Sequence, residues 1–122
     1  MYSKEKLYET FGELLYAVTL ADGKIQDEEI NQLKEIIKYH PLSDDILWSF
    51  NYEKSKNTTV YEAYAKAIDI FKFNGPAEEY KEFEEILNAV ANACNGIGPE
   101  EKKLIDAFRS ELTNAFMENE NI

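Results

Sequence analysis

Five carboxylates stand in two loop regions that repeat one another: Asp22, Glu28 and Glu29 in the first, Glu100 and Glu101 in the second. Carboxylate oxygens gathered at two helix starts could hold a hard divalent cation. The first loop, Asp22-Gly23-Lys24-Ile25-Gln26-Asp27-Glu28-Glu29, matches the second half of an EF-hand calcium loop. The first and third positions of that loop would be Val18 and Leu20, which carry no side-chain oxygen; in the second copy they are Val90 and Asn92, and the first position fails again. An EF-hand takes side-chain oxygens there, so an EF-hand is excluded.

Helix capping explains the same acids without a ligand. Glu29 follows Gln26 by three residues, and Glu101 follows Gly98 by three. That is capping-box spacing, in which the acid bonds back to the cap residue's amide. Gln is a poor cap and Gly an acceptable one, with Pro99 suited to the first helical position. All four glutamates lie in a first turn, where negative charge is favoured. Capping therefore takes precedence over a metal site. The cation alternative requires the loops to converge, with Asp22 and Glu29 approaching Asn95 and Glu101.

The loops sit inside a longer repeat. Phe11 to Glu29 (FGELLYAVTLADGKIQDEE) aligns without a gap with Phe83 to Glu101 (FEEILNAVANACNGIGPEE). The matches include Phe11/Phe83, Leu15/Leu87, Val18/Val90, Ile25/Ile97 and Glu29/Glu101. Two copies imply two pseudo-symmetric helix-loop-helix units with a middle segment between them. Repeat 1 spans about 4–39, the middle helices about 43–74, and repeat 2 about 76–117.

Apolar residues spaced by three and four predict six helices. Leu7, Phe11, Leu14, Leu15 and Val18 mark the first, from about Ser3 to Ala21. Ile30, Leu33, Ile36 and Ile37 mark the second, which should stop near Tyr39 or His40, before Pro41. Ser43-Asp44-Asp45 caps a short third helix with Ile46, Leu47 and Phe50, and the polar stretch Asn51 to Thr59 reads as a loop. Thr58 or Thr59 caps a fourth helix whose buried face carries Tyr61, Tyr64, Ala65, Ile68 and Phe71. The fifth runs from Pro76 to about Ala93, and the sixth starts at Pro99 and buries Leu104, Ile105, Phe108, Leu112 and Phe116. The tail from Glu118 to Ile122 is polar. No segment alternates with period two, so the fold class is all-α, a bundle of about six helices in one domain over 1–122.

The 122 residues can bury roughly two-thirds of their unfolded surface. Lys and Arg number 13 against 24 Asp and Glu, a net charge of -11. That field repels phosphate backbones and anionic lipid, which disfavours nucleic acid and membrane surfaces as partners. Cys94 is the only cysteine, so no internal disulfide can form, and a reducing, cytoplasmic compartment is expected. No secretory signal opens the chain, and no apolar run approaches membrane-spanning length. Cys94 falls on the apolar stripe of the fifth helix, where an inert buried thiol is the common case. His40, the only histidine, is expected to end the second helix and favour its dipole. The acidic run Glu78 to Glu85 reads as a solvated helix face. Trp48, Phe50 and Tyr52 are expected in the core; exposed, they would anchor a partner helix or a dimer interface. No P-loop, Rossmann glycine pattern, HExxH or GxSxG is present.

The helix followed by Ala21-Asp22-Gly23-Lys24-Ile25, an acidic helix start and a later, weaker copy resembles the TerB-like tellurite-resistance family. The resemblance runs from about Leu7 to Leu112. It implies a compact all-helical domain of two similar halves, associated with bacterial metal-stress and phage-defence systems as an interaction or sensing module. Carried over by position, the family's metal-binding role falls on Asp22, Glu28, Glu29, Glu100 and Glu101; Cys94-Asn95-Gly96 departs from the motif. The expectation is a non-enzymatic interaction or stress-response module, a monomer or weak homodimer with a protein partner. The alternative is a sensor binding a divalent metal ion, the one cofactor these acids could hold.

Overall fold

The computed structural model describes residues 2–93 and 96–120, the last four by their backbone alone. Six helices account for the described chain: α1 (Lys4–Leu20), α2 (Asp27–Ile37), α3 (Ser43–Lys56), α4 (Val60–Asn74), α5 (Glu79–Asn92) and α6 (Pro99–Glu120). No strand is present among the described residues, so the fold is an all-α bundle. Cys94 and Asn95 lie outside the described residues.

α1 is the central element because its apolar positions continue around the helix. Leu7, Tyr8, Phe11, Leu14, Leu15, Tyr16, Ala17 and Val18 are all buried. A helix apolar over most of its circumference must be covered on most sides, and α1 packs against α3, α4, α5 and α6. Gly12 lets α3 approach: a Cβ there would press into the Ile46 carbonyl. α2 is amphipathic on one narrow face and buries only Leu33 and Ile37, packing on α5. Each repeat's second helix thus packs on the other repeat's first. Phe11 and Phe83, equivalent in the sequence repeat, stack on each other with centroids 4.3 Å apart and planes 7° from parallel.

Caps set the helix starts. Ser3 and Thr59 accept from the backbone amides of Lys6 and Glu62, each at 3.1 Å, satisfying amides that an N-terminus leaves unpaired.

Several local expectations are overturned. The stretch expected as a loop from Asn51 is helical up to Lys56. Its polarity is that of a solvated outer face, Lys54 and Lys56 suit the C-terminal dipole, and the stop comes from Asn57 in the left-handed conformation, φ 54°. Ser43 is the first residue of α3 rather than its cap; Leu42 occupies the cap position without a side-chain bond. Tyr61 belongs to the exposed side of α4, at 79 % exposure; Ala63, Ala67, Ile68 and Phe71 make the buried stripe. Ile36 lies just beyond the narrow buried face of α2. α5 begins at Glu79 rather than Pro76, and α6 continues to Glu120, into the expected polar tail. Trp48 and Tyr52 are on the surface, and only Phe50 of that trio enters the core.

His40 lies beyond the end of α2 and acts through its ring. Its Nδ1 accepts from the Leu42 amide at 2.9 Å, which leaves Nε2 as the donor to Glu82 Oε1 at 2.8 Å. The Tyr8 hydroxyl donates to the same oxygen at 2.6 Å. Burial pushes Glu82 up, but these two bonds outweigh it and hold the carboxyl below its usual range. Glu82 therefore ties α5 to α1 and to the α2–α3 turn. Glu84 pairs with Arg109 of α6. Two members of the acidic run are structural.

Candidate functional site

Each of the two loops carries a glycine at positive φ and a glutamate cap on the helix that follows. Gly23 takes φ 106° and its amide bonds to the Leu20 carbonyl at 2.8 Å, ending α1. Gly96, φ 81°, serves the second loop. Backbone at such angles suits glycine, which has no Cβ to clash. Each following helix is capped from its third residue: Glu29 Oε1 accepts from the Gln26 amide and Glu101 Oε1 from the Gly98 amide, both at 3.0 Å. The poor cap Gln26 is thus compensated by Glu29.

Tertiary packing makes the two caps unlike. Glu29 is half-buried, whereas Glu101 is 5 % exposed. The Asp22 carboxyl crosses from the first loop onto Gly98 of the second. It lies so close that a Cβ at position 98 would collide with it. There it comes within hydrogen-bonding reach of the Glu101 carboxyl. Two carboxyls can share a hydrogen bond only if one carries a proton. Burial first, then Asp22's hydrogen bond and charge and the charge of Glu29, push Glu101 up to about 7, outweighing the Gly98 amide that favours ionisation. The junction opens to solvent as a polar depression of about 300 Å³ lined by Asp22, Glu28, Glu29 and Glu101, with Ile97 and Lys24 at its sides.

Of the five predicted acids, four line this depression. Glu100 does not: it faces outward and pairs with Lys103 at 3.1 Å. The expected approach of Asn95 falls outside the described residues. Among the described residues, no group of three or more His, Cys, Asp or Glu side chains is disposed to hold a metal ion. The oxygen donors suit a hard cation in type, but Asp22 and Glu101 are turned to each other rather than to a common centre.

Gly98 is the site residue that capping logic alone undervalued. Its bare α-carbon is what admits the Asp22 carboxyl, and nothing in the local pattern announces a tertiary neighbour. Equally hidden is a second acidic pair inside the bundle. Glu53 of α3 is 1 % exposed and accepts from Lys66 Nζ at 2.8 Å, with Glu13 of α1 at 3.7 Å from the same nitrogen.

No protein-family model matches the chain, and no curated protein and no solved structure shows significant similarity to it.

Proposed function

We propose that the chain is a non-enzymatic interaction or stress-response module of the TerB-like kind, with the junction of its two loops as the responsive element. The observation that carries this is the Asp22–Glu101 pair: one carboxyl from each repeat, joined across the junction, with Glu101 titrating near neutrality. Such a pair can change charge under physiological conditions, and it joins the end of α1 to the start of α6. A protein is the expected partner. The charge of -11 argues against nucleic acid, and among the described residues no helix is long and apolar enough to cross a membrane.

The lining of the junction favours a second, sharper reading, a sensor of divalent cations. Asp22 is exposed at the mouth of the depression. Loss of the shared proton would leave Asp22, Glu29 and Glu101 as an uncompensated anionic group, with Glu28 beside it, which a hard cation would neutralise.

Calorimetry of chelator-stripped protein with calcium, magnesium, manganese or zinc, at a pH below and a pH above that of Glu101, separates the two readings. Micromolar binding that strengthens at the higher pH, and that Asp22→Ala and Glu101→Gln both abolish with folding intact, supports the sensor. Absence of binding at both pH values removes it. The broader reading is checked by amide exchange in the two loops, corrected for intrinsic rates. Protection that stays the same on both sides of the Glu101 titration would sink the idea of a responsive junction.

A further inference from the structure

The outer face of α3 carries an unusual stripe. Asp44, Trp48, Tyr52 and Lys56 follow one another at intervals of four, all exposed, and so form one ridge of the helix surface. Trp48 is 63 % exposed and stacks on Tyr52, with centroids 5.4 Å apart and planes 10° from parallel. Lys56 Nζ sits 5.0 Å from the centre of the Tyr52 ring. No element of the bundle covers the pair. Among the described residues neither Asp44 nor Lys56 is in an ion pair.

The order along the ridge is acid, aromatic, aromatic, base. Trp48 and Tyr52 lie symmetrically about Phe50, and Asp44 and Lys56 lie symmetrically about the same position. A second molecule related by a twofold axis through that midpoint would run its α3 antiparallel to the first. Trp48 would then meet Tyr52 of the other molecule, and Asp44 would meet its Lys56, each pair occurring twice. Self-complementarity of this kind is what an isologous interface requires. The antiparallel arrangement also sets opposite helix dipoles side by side. Elsewhere an acidic protein of charge -11 repels its own copies, but the charges of the ridge sum to zero.

We propose that α3 is a self-association surface whose occupant is a second copy of this chain, packed antiparallel through the Asp44–Trp48–Tyr52–Lys56 ridge. Each aromatic side chain can bury roughly 150–250 Å². Two pairs with their rims fall at or below the roughly 1,200 Å² of a stable complex, so the dimer is weak and depends on concentration. This surface is separate from the loop junction and does not rest on what the junction binds.

Sedimentation equilibrium from about 10 μM to about 1 mM covers the range expected of so small a contact. The average mass should rise toward twice that of the monomer. Trp48→Ser should weaken association at least about tenfold, since central aromatic anchors dominate such contacts. Asp44→Lys and Lys56→Asp, each alone, should weaken it about tenfold by placing like charges opposite one another twice. An equimolar mixture of these two variants should associate again, because both cross pairs become opposite in sign. The substituted side chains are exposed, and circular dichroism checks that each variant folds. A mass that stays monomeric throughout overturns the proposal and assigns the ridge to a different partner. A dimer that survives Trp48→Ser overturns it by placing the contact elsewhere. Failure of the mixture to restore association overturns the antiparallel register.

Discussion

Two pairs of acids in this molecule meet the same problem and resolve it differently. Inside the bundle, Glu53 and Glu13 share the ammonium of Lys66. Burial pushes Glu53 up, but the hydrogen bond and charge of Lys66 lead the opposing pull and leave it below its ordinary range. Glu13 is raised, by burial first and then by the charge of Glu53, against the pull of Lys66. At the loop junction, among the described residues, Asp22 and Glu101 are in no ion pair, and their proximity favours the protonated form of Glu101 instead. A buried carboxyl cluster must be neutralised by something. In the bundle the neutralising group is part of the chain; at the junction it comes from solvent and can be exchanged. That difference makes the junction, rather than the more deeply buried pair, the candidate for sensing.

Removing the internal cation should have the largest effect. Lys66→Met leaves Glu53 buried without its partner and should destabilise the fold by about 2–4 kcal/mol near neutral pH, measured by urea unfolding. Adding Glu53→Gln should recover much of that loss. A loss under about 1 kcal/mol would mean that Lys66 does not neutralise this pair.

The junction should respond in the opposite sense. The folded pKa of Glu101 is raised, so the folded state holds a proton that the unfolded state releases first. Its contribution is fully present below the ordinary value of 4.5 and is lost as pH rises through about 7. Glu101→Gln keeps an oxygen for the Gly98 amide but carries no charge. Relative to the parent protein it should therefore gain stability at alkaline pH over acidic pH, by about 3 kcal/mol across that window. Melting curves of both proteins as a function of pH check this. Parallel curves would show that Glu101 does not hold the proton.

Glu100→Gln is the contrast within the same helix turn. Among the described residues Glu100 pairs only with exposed Lys103, so its loss should change stability by less than about 0.5 kcal/mol at any pH and leave the titration of Glu101 in place. A larger effect would join Glu100 to the junction.

Helix existence was legible because it depends on neighbours in sequence. The apolar spacing from Leu7 to Val18 and the turn at Asp22-Gly23 announced α1 and its end. Side-chain roles along polar stretches were less so. Glu53 and Lys54 are adjacent charged residues, yet one is in the core and the other in water. Trp48 and Phe50 differ little in hydrophobicity, and only the placement of α1 decides which is covered. His40 and Glu82 are 42 residues apart, beyond the reach of any local pattern.

The sequence by itself determined the helical class, the two related loops and the capping glutamates, because periodicity, turn chemistry and caps act over a few residues. It also placed Asp22 at the opening of the first loop and Glu101 at the close of the second. Only the tertiary structure decided that their carboxyls meet, that Glu101 is buried while Glu29 is half-exposed, and that Glu100 turns away. Burial and the distance between charges depend on how separate segments pack, and those two quantities set which acid keeps its proton.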